Sequence, residues 1–306
     1  MPLFLAVVTI TSSLLTPVIL VDNGSRRPSA VFALRSAAAA LSSALGEGRE
    51  VIPASLAFSD GIAADKLEGV PASTLSSALS SLVERGERRA VVAPLFLGPS
   101  DGLARALAAC AEEVPDSFTL QCCTCLVDNS SEEHAADTRV AEALASQVIA
   151  AADAPPCLQA PLHVLLVDHG TPSVKVNAVR SRLARELSAL LGDRAALVRE
   201  ASMERREGSE YDFNEPLLER ALAAAPFNDG DVVLAMAFLS PGRHAGDGGD
   251  VMQIVENAAA QVDESCELRV RTTPPLAAHP LIVEVLASRV MEADAAAMAS
   301  DGLPSQ

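Results

Sequence analysis

Two stretches of the chain are apolar without alternation, and they are near copies of each other. Pro17-Val-Ile-Leu-Val-Asp-Asn-Gly-Ser25 reappears as Leu162-His-Val-Leu-Leu-Val-Asp-His-Gly-Thr171, with Asn23 opposite His169, 146 positions on. An unbroken apolar run is what a strand shows when both of its faces are buried in a parallel sheet. A tight turn follows, and then helical spacing takes over. In the second copy Val176, Val179, Leu183, Leu187 and Leu190 recur along one face, and Gly192 stands where a C-terminal cap belongs. The first copy closes at Gly46, again 146 positions earlier, so the unit repeats without a gap.

The same pattern predicts further strands at Val51–Ala57, Ala90–Leu97 and Phe118–Val127 in the first copy. In the second it predicts Ala196–Met203, Val232–Leu239 and Glu267–Thr272, the last followed by His279-Pro280 and a final helix with proline in its first turn. Strands alternating with helices define an α/β fold with doubly wound parallel sheets. A repeat of about 140 residues is too long for a solenoid. Two similar domains are therefore expected, residues 17–152 and 162–298, related by internal duplication and with their strand ends facing a shared cleft. Asp153-Ala-Pro-Pro-Cys-Leu-Gln-Ala-Pro161 joins them; its prolines and lack of periodicity make a stiff connector. Residues 1–16 are left as a leader of unknown role. They are too short to cross a membrane on their own and lack a basic start.

Composition narrows the classes of partner. The chain has 306 residues, 23 basic against 40 acidic, for a net charge of −17. That balance argues against nucleic acid and anionic membranes, but a local basic pocket can still receive an anionic small molecule. Six cysteines, irregularly spaced, imply no disulfide framework. Cys122 and Cys125 form a C-x-x-C interrupted by Cys123, and they read either as small residues buried on a strand or as a redox or metal pair. A reducing compartment follows, plastid stroma in a photosynthetic eukaryote or cytoplasm otherwise. A chain that pairs its own lobes is expected to work as a monomer, with a dimer left open.

In open α/β sheets ligands bind beyond the carboxyl ends of the strands. His169, Glu204 and His244 each follow a different predicted strand of the second copy, so all three are expected on one rim. Two imidazoles and a carboxylate with open positions form a metal-ligand and proton-transfer set. The first copy lacks it: Asn23 stands opposite His169, Ala57 opposite Glu204, and Gly102 opposite His244. Joint loss points to one shared function kept once per chain. His134, His163 and His279 read as structural, with His279 positioning the last helix.

At these residues a family resemblance becomes specific. Val167-Asp-His-Gly-Thr-Pro with Asn177 eight residues after the histidine resembles the opening motif of the sirohydrochlorin chelatases of the CbiX type. Phe238-Leu-Ser-Pro-Gly-Arg-His244 resembles their second histidine motif, and Pro275-Leu-Ala-Ala-His-Pro-Leu281 with Arg289 their C-terminal signature. The resemblance spans about residues 17–295, strong in the second lobe and diluted in the first. It implies a lyase that inserts Fe2+, Co2+ or sometimes Ni2+ into sirohydrochlorin or a related tetrapyrrole without ATP. No permanently bound cofactor is implied. His169 and His244 would bind the metal and Glu204 would assist. The chain departs from the family in Ala245-Gly-Asp-Gly-Gly-Asp250 and in an insertion within 203–216, and the glycines suggest a mobile loop. Arg205, Arg206 and Arg243 read either as partners for substrate carboxylates or as part of a solvated charged loop. A non-catalytic tetrapyrrole or metal carrier, or a structural pseudoenzyme, are the alternatives. The first lobe, which keeps its turn glycine and proline, is expected to wall the cleft and bind the ring, with Asn23 as a hydrogen-bonding residue and Arg26 and Arg27 adding charge.

Overall fold

A computed structural model describes residues 15–301 apart from 129, 131, 159, 160, 247 and 262–265, so most of the leader and part of the connector lie outside the described residues. The first half runs β1 (Val18–Asp22), α1 (Pro28–Leu45), β2 (Val51–Ser55), β3 (Ser73–Thr74), α2 (Leu75–Glu84), β4 (Arg89–Pro94), α3 (Asp101–Glu113), β5 (Thr119–Cys122), α4 (Glu132–Ala136) and α5 (Arg139–Asp153). The second half runs β6 (Leu162–Asp168), α6 (Val174–Leu191), β7 (Ala195–Ser202), α7 (Leu218–Leu222), β8 (Gly230–Met236), α8 (Asp250–Gln261), β9 (Leu268–Thr272) and α9 (Pro280–Asp301). Two sheets result, ordered β3-β2-β1-β4-β5 and β7-β6-β8-β9, with every strand pair parallel. Strand order reverses between β1 and β4 and between β6 and β8, which opens a crevice at each of those carboxyl edges.

The apolar runs are explained by what lies on each face. Val18 and Leu20 of β1, with Val164 and Leu166 of β6, belong to one continuous core between the sheets. The alternate residues face outward: Ile19 and Val21 pack with α2, and Leu165 and Val167 pack with α7 and α8. The period of two is thus present, but both faces are buried.

The sheets are assembled from separate halves of the chain, but the last helices are exchanged. α5 leaves the first half to pack on α6 and β8, and α9 returns to pack on α1 and β4. Polar contacts fix the exchange. Arg49 donates to both carboxylate oxygens of Asp294 at 2.8 and 3.0 Å, and Arg289, buried in α9, donates to Asp137 at 3.0 Å. Residues 17–152 are therefore not a self-contained unit. His279 sets the start of α9: its Nδ1 accepts the Leu281 N–H at 3.2 Å and its Nε2 lies 2.8 Å from the Ser146 hydroxyl. Burial lowers its pKa, which favours the neutral ring that these two bonds require. One described helix, α1, is long and apolar enough to cross a membrane by length and composition, and here it packs against β2 and α9.

Candidate metal centre and inter-lobe cavity

The repeat is exact at the turn that matters. In each lobe the aspartate ending the central strand accepts the N–H of the glycine two residues on, Asp22 from Gly24 at 3.0 Å and Asp168 from Gly170 at 3.1 Å. Each also accepts a serine hydroxyl from the neighbouring strand, Ser55 at 2.7 Å and Ser202 at 2.8 Å. The glycines have φ of +85° and +92°, and a Cβ on either would sit 1.8 Å from the Ala57 carbonyl or 1.9 Å from the Glu204 carbonyl. No other residue fits there. The same contact makes Ala57 the structural counterpart of Glu204, as Asn23 is of His169.

On this turn His169 and Glu204 are neighbours: His169 Nε2 lies 3.7 Å from Glu204 Oε1. That is too long for a hydrogen bond and near the span of two donors each about 2.1 Å from one ion. His244, on the loop between β8 and α8, brings its ring edge-on to His169, with centroids 4.4 Å apart and planes at 83°. His244 Nδ1 is 2.8 Å from Asp250 Oδ2. A carboxylate at Nδ1 holds the proton there and leaves the Nε2 lone pair free, the arrangement common behind metal-binding histidines. Asp250 is thus a supporting residue that the sequence reading passed over as part of a glycine loop. Among the described residues no three His, Cys, Asp or Glu are already gathered tightly enough to hold an ion.

Beneath His169 lies a second unforeseen feature. Arg180, whose side chain is 2% exposed, donates to Asp168 at 3.1 Å, Glu200 at 3.0 Å and the Phe213 carbonyl at 3.0 Å, and it also contacts Ser202. It locks the aspartate that locks the turn. The first lobe carries Leu34 at the matching place, 146 positions earlier. There burial raises the Asp22 carboxyl above its ordinary 3.8, opposed by the bonds from Ser55 and Gly24.

Other expected site residues turn inward. Asn177 is buried and its amide donates to the Phe213 carbonyl at 2.9 Å, so it anchors a loop rather than facing open space. Arg205 bridges Asp212 at 2.8 Å and Glu215 at 2.9 Å, and so pins its own segment. Arg206 stacks on Tyr211. The segment 203–216 is a tied crossover, with Asn214 fully buried and bonded to both backbone groups of Thr171. Arg243 is 74% exposed and 3.1 Å from Asp250. Asn23 is exposed and its amide makes no hydrogen bond among the described residues. Gly102 does not correspond to His244: it lies in the first turn of α3, which begins two residues after Pro99, whereas α8 begins nine residues after Pro241. The first lobe lacks the histidine loop altogether. In that loop a Cβ on Gly249 would lie 2.7 Å from the carbonyls of His244 and Gly246, so close backbone packing accounts for this glycine.

The carboxyl ends of β8 and β9 open into a cavity of about 690 Å3 bounded by both halves of the chain, within the range of small-molecule sites. His244, Met236, Thr273 and Pro275 line it from the second lobe, and Arg27 and Ser29 from the first. The Ser29 hydroxyl donates to the Pro241 carbonyl at 3.2 Å, which ties the start of α1 to the histidine loop. The facing strand ends are thus joined, and the first lobe reaches the cavity through Arg27 and Ser29 instead of Asn23. Cys122, Cys123 and Cys125 lie apart from it, at the end of β5. All six cysteines are free, and burial pushes these three thiols up to about 11, 12 and 12.

Two linked α/β lobes with strand ends converging on a histidine pair define the chelatase fold. Solved structures share it across nearly the whole chain. SirB from Bacillus subtilis with Fe3+ is 16% identical and covers 93% of this chain and 98% of its own, with a TM-score of 0.61. The sirohydrochlorin chelatase SirB from Bacillus subtilis subspecies spizizenii in complex with cobalt is 17% identical, covering 92% and 96%, with a TM-score of 0.60. CbiX, the terminal enzyme for siroheme biosynthesis in denitrifying bacteria, is 15% identical, covering 91% and 98%, with a TM-score of 0.55. No curated protein matches the sequence. Residues 163–293, the second lobe, match the CbiX family model.

Proposed function

We propose that the protein inserts a divalent metal ion, Fe2+ or Co2+, into sirohydrochlorin or a related tetrapyrrole, in siroheme or cobalamin-type biosynthesis. The observation that carries the reading is the approach of His169 to both His244 and Glu204, in the one lobe that has all three, with His244 lining the inter-lobe cavity. Insertion replaces two pyrrole protons by one ion, so a metal donor and a proton acceptor are needed on the same side of the ring. Neutral imidazole serves both purposes near neutral pH. His169 and His244 present the ion. As pyrrole nitrogens take over its coordination, the freed imidazole and Glu204 accept the protons. A ready-made cage of three or four protein ligands would hold the ion too firmly to release it, and the open arrangement suits a metal that is substrate.

The test is an anaerobic absorbance assay of the whole chain with sirohydrochlorin and each of Fe2+, Co2+ and Ni2+. The expected result is a protein-dependent conversion of the free-base spectrum to the metallated one, with one of these metals preferred. Binding of the tetrapyrrole without conversion would identify a carrier, and neither binding nor conversion would identify a structural pseudoenzyme.

A further inference from the structure

Arg27 is in the wrong place for the helix it starts. It is the N-cap of α1, with extended backbone angles and no side-chain capping bond. Helix N-termini favour Ser, Thr, Asp or Asn at that position, and their partial positive charge disfavours a cation. The equivalent position of the second lobe holds Ser173. Arg27 also has no acidic partner: among the described residues its guanidinium makes no ion pair or hydrogen bond. Most arginines around the site are engaged, Arg180, Arg205 and Arg243 with carboxylates and Arg206 with an aromatic ring. Among the described residues Arg88, Arg105, Arg185 and Arg199 are unpaired as well, but of these five only Arg27 lines the inter-lobe cavity. Its surroundings supply the reason. Arg27 lines the inter-lobe cavity, and the neighbouring Ser29 is bonded to Pro241, on the loop that carries His244. A residue that breaks a local rule without local compensation is expected where function requires it.

We propose that Arg27 is a substrate-binding residue that receives a carboxylate arm of the anionic tetrapyrrole, and that the first lobe thereby orients the ring whose metal comes from the second. The assignment rests on the chelatase reading for the identity of the substrate. Chemically it requires only a carboxylate: the guanidinium offers paired N–H donors that match one bidentately. The rest of the wall mixes apolar residues such as Val251, Met252 and Pro275 with the polar Ser29, His244 and Thr273. The division of labour follows from the two lobes. The histidine loop exists in one copy only, and the other copy contributes a cation in place of a cap.

The test uses the full chain and sirohydrochlorin without metal, with binding read by the change in tetrapyrrole absorbance. Arg27→Ser should weaken binding about tenfold or more, as expected for loss of a charge-assisted hydrogen bond. Its Tm should match that of the unaltered protein, because Arg27 makes no capping bond that the change could remove. Arg105→Ala removes the same charge from an exposed position on α3, away from the cavity wall, and should change binding less than twofold. Co2+ binding, titrated separately, should be unchanged in Arg27→Ser. Equal effects of Arg27→Ser and Arg105→Ala, or no effect of either, would overturn the assignment. If the unaltered protein binds sirohydrochlorin but does not metallate it, chelation fails while the Arg27 comparison still decides the binding role.

Discussion

Replacing His169 with alanine is expected to slow metal insertion by about a hundredfold or more, the range for loss of a positioned proton-transfer group, while leaving the fold intact. The ring is 43% exposed, and its polar contacts are a long one to the Gly170 carbonyl at 3.4 Å and the 3.7 Å approach to Glu204. Removing it therefore opens no core cavity and strands no buried partner, and stability should change by no more than about 0.5 kcal/mol. His244→Ala should impair insertion to a similar degree. The double variant should be little worse than either single one, because groups that act as a unit are not additive. Initial rates of anaerobic insertion, beside thermal unfolding of the same samples, check this. Unchanged turnover in His169→Ala would remove the residue from the mechanism.

Arg180→Leu is expected to destabilise the protein by about 3–5 kcal/mol, the usual consequence of removing one partner from a buried ion pair. Asp168 and Glu200 would lose their shared cation, and the Phe213 carbonyl would lose a donor. Leucine is a fair substitute to try, since Leu34 occupies the matching position in the first lobe, and there the unpaired Asp22 carboxyl is pushed toward its neutral form by burial. Urea unfolding at neutral pH would measure the loss, and a change below about 0.5 kcal/mol would show that the network does not hold the turn. Loss of Arg180 also loosens the Asp168–Gly170 turn that carries His169, so insertion should slow even at temperatures where the variant remains folded.

These two residues also mark how far the sequence could be read. The duplication was plain because a strand buried on both faces writes an unbroken apolar run, and Val18–Asp22 and Val164–Asp168 share their whole pattern. His169, His244 and Glu204 stood out because the other copy lacks them, and the comparison between copies did what a single motif could not. Periodicity was silent on the exchange of α5 and α9, since it reports that a helix has an apolar face but not which sheet that face meets. Residue type misled at Asn177 and Arg205, whose polar groups are occupied by Phe213, Asp212 and Glu215, partners set by the path of the 203–216 crossover. Arg180 left a usable trace: a charged residue next to Val179 and three before Leu183, on the apolar side of α6, must find a buried counter-charge. Opposite His244 the misreading was of length, because a missing loop was read as a substituted residue.

The account turns on where a metal ion settles. Crystals of the whole chain soaked anaerobically in Co2+ and examined by anomalous scattering should show one strong peak per chain, about 2.1 Å from a ring nitrogen of both His169 and His244, with Glu204 beside it and none at Asn23. A peak in the first lobe or among Cys122, Cys123 and Cys125, with nothing between the two histidines, would contradict a metal site confined to the second lobe.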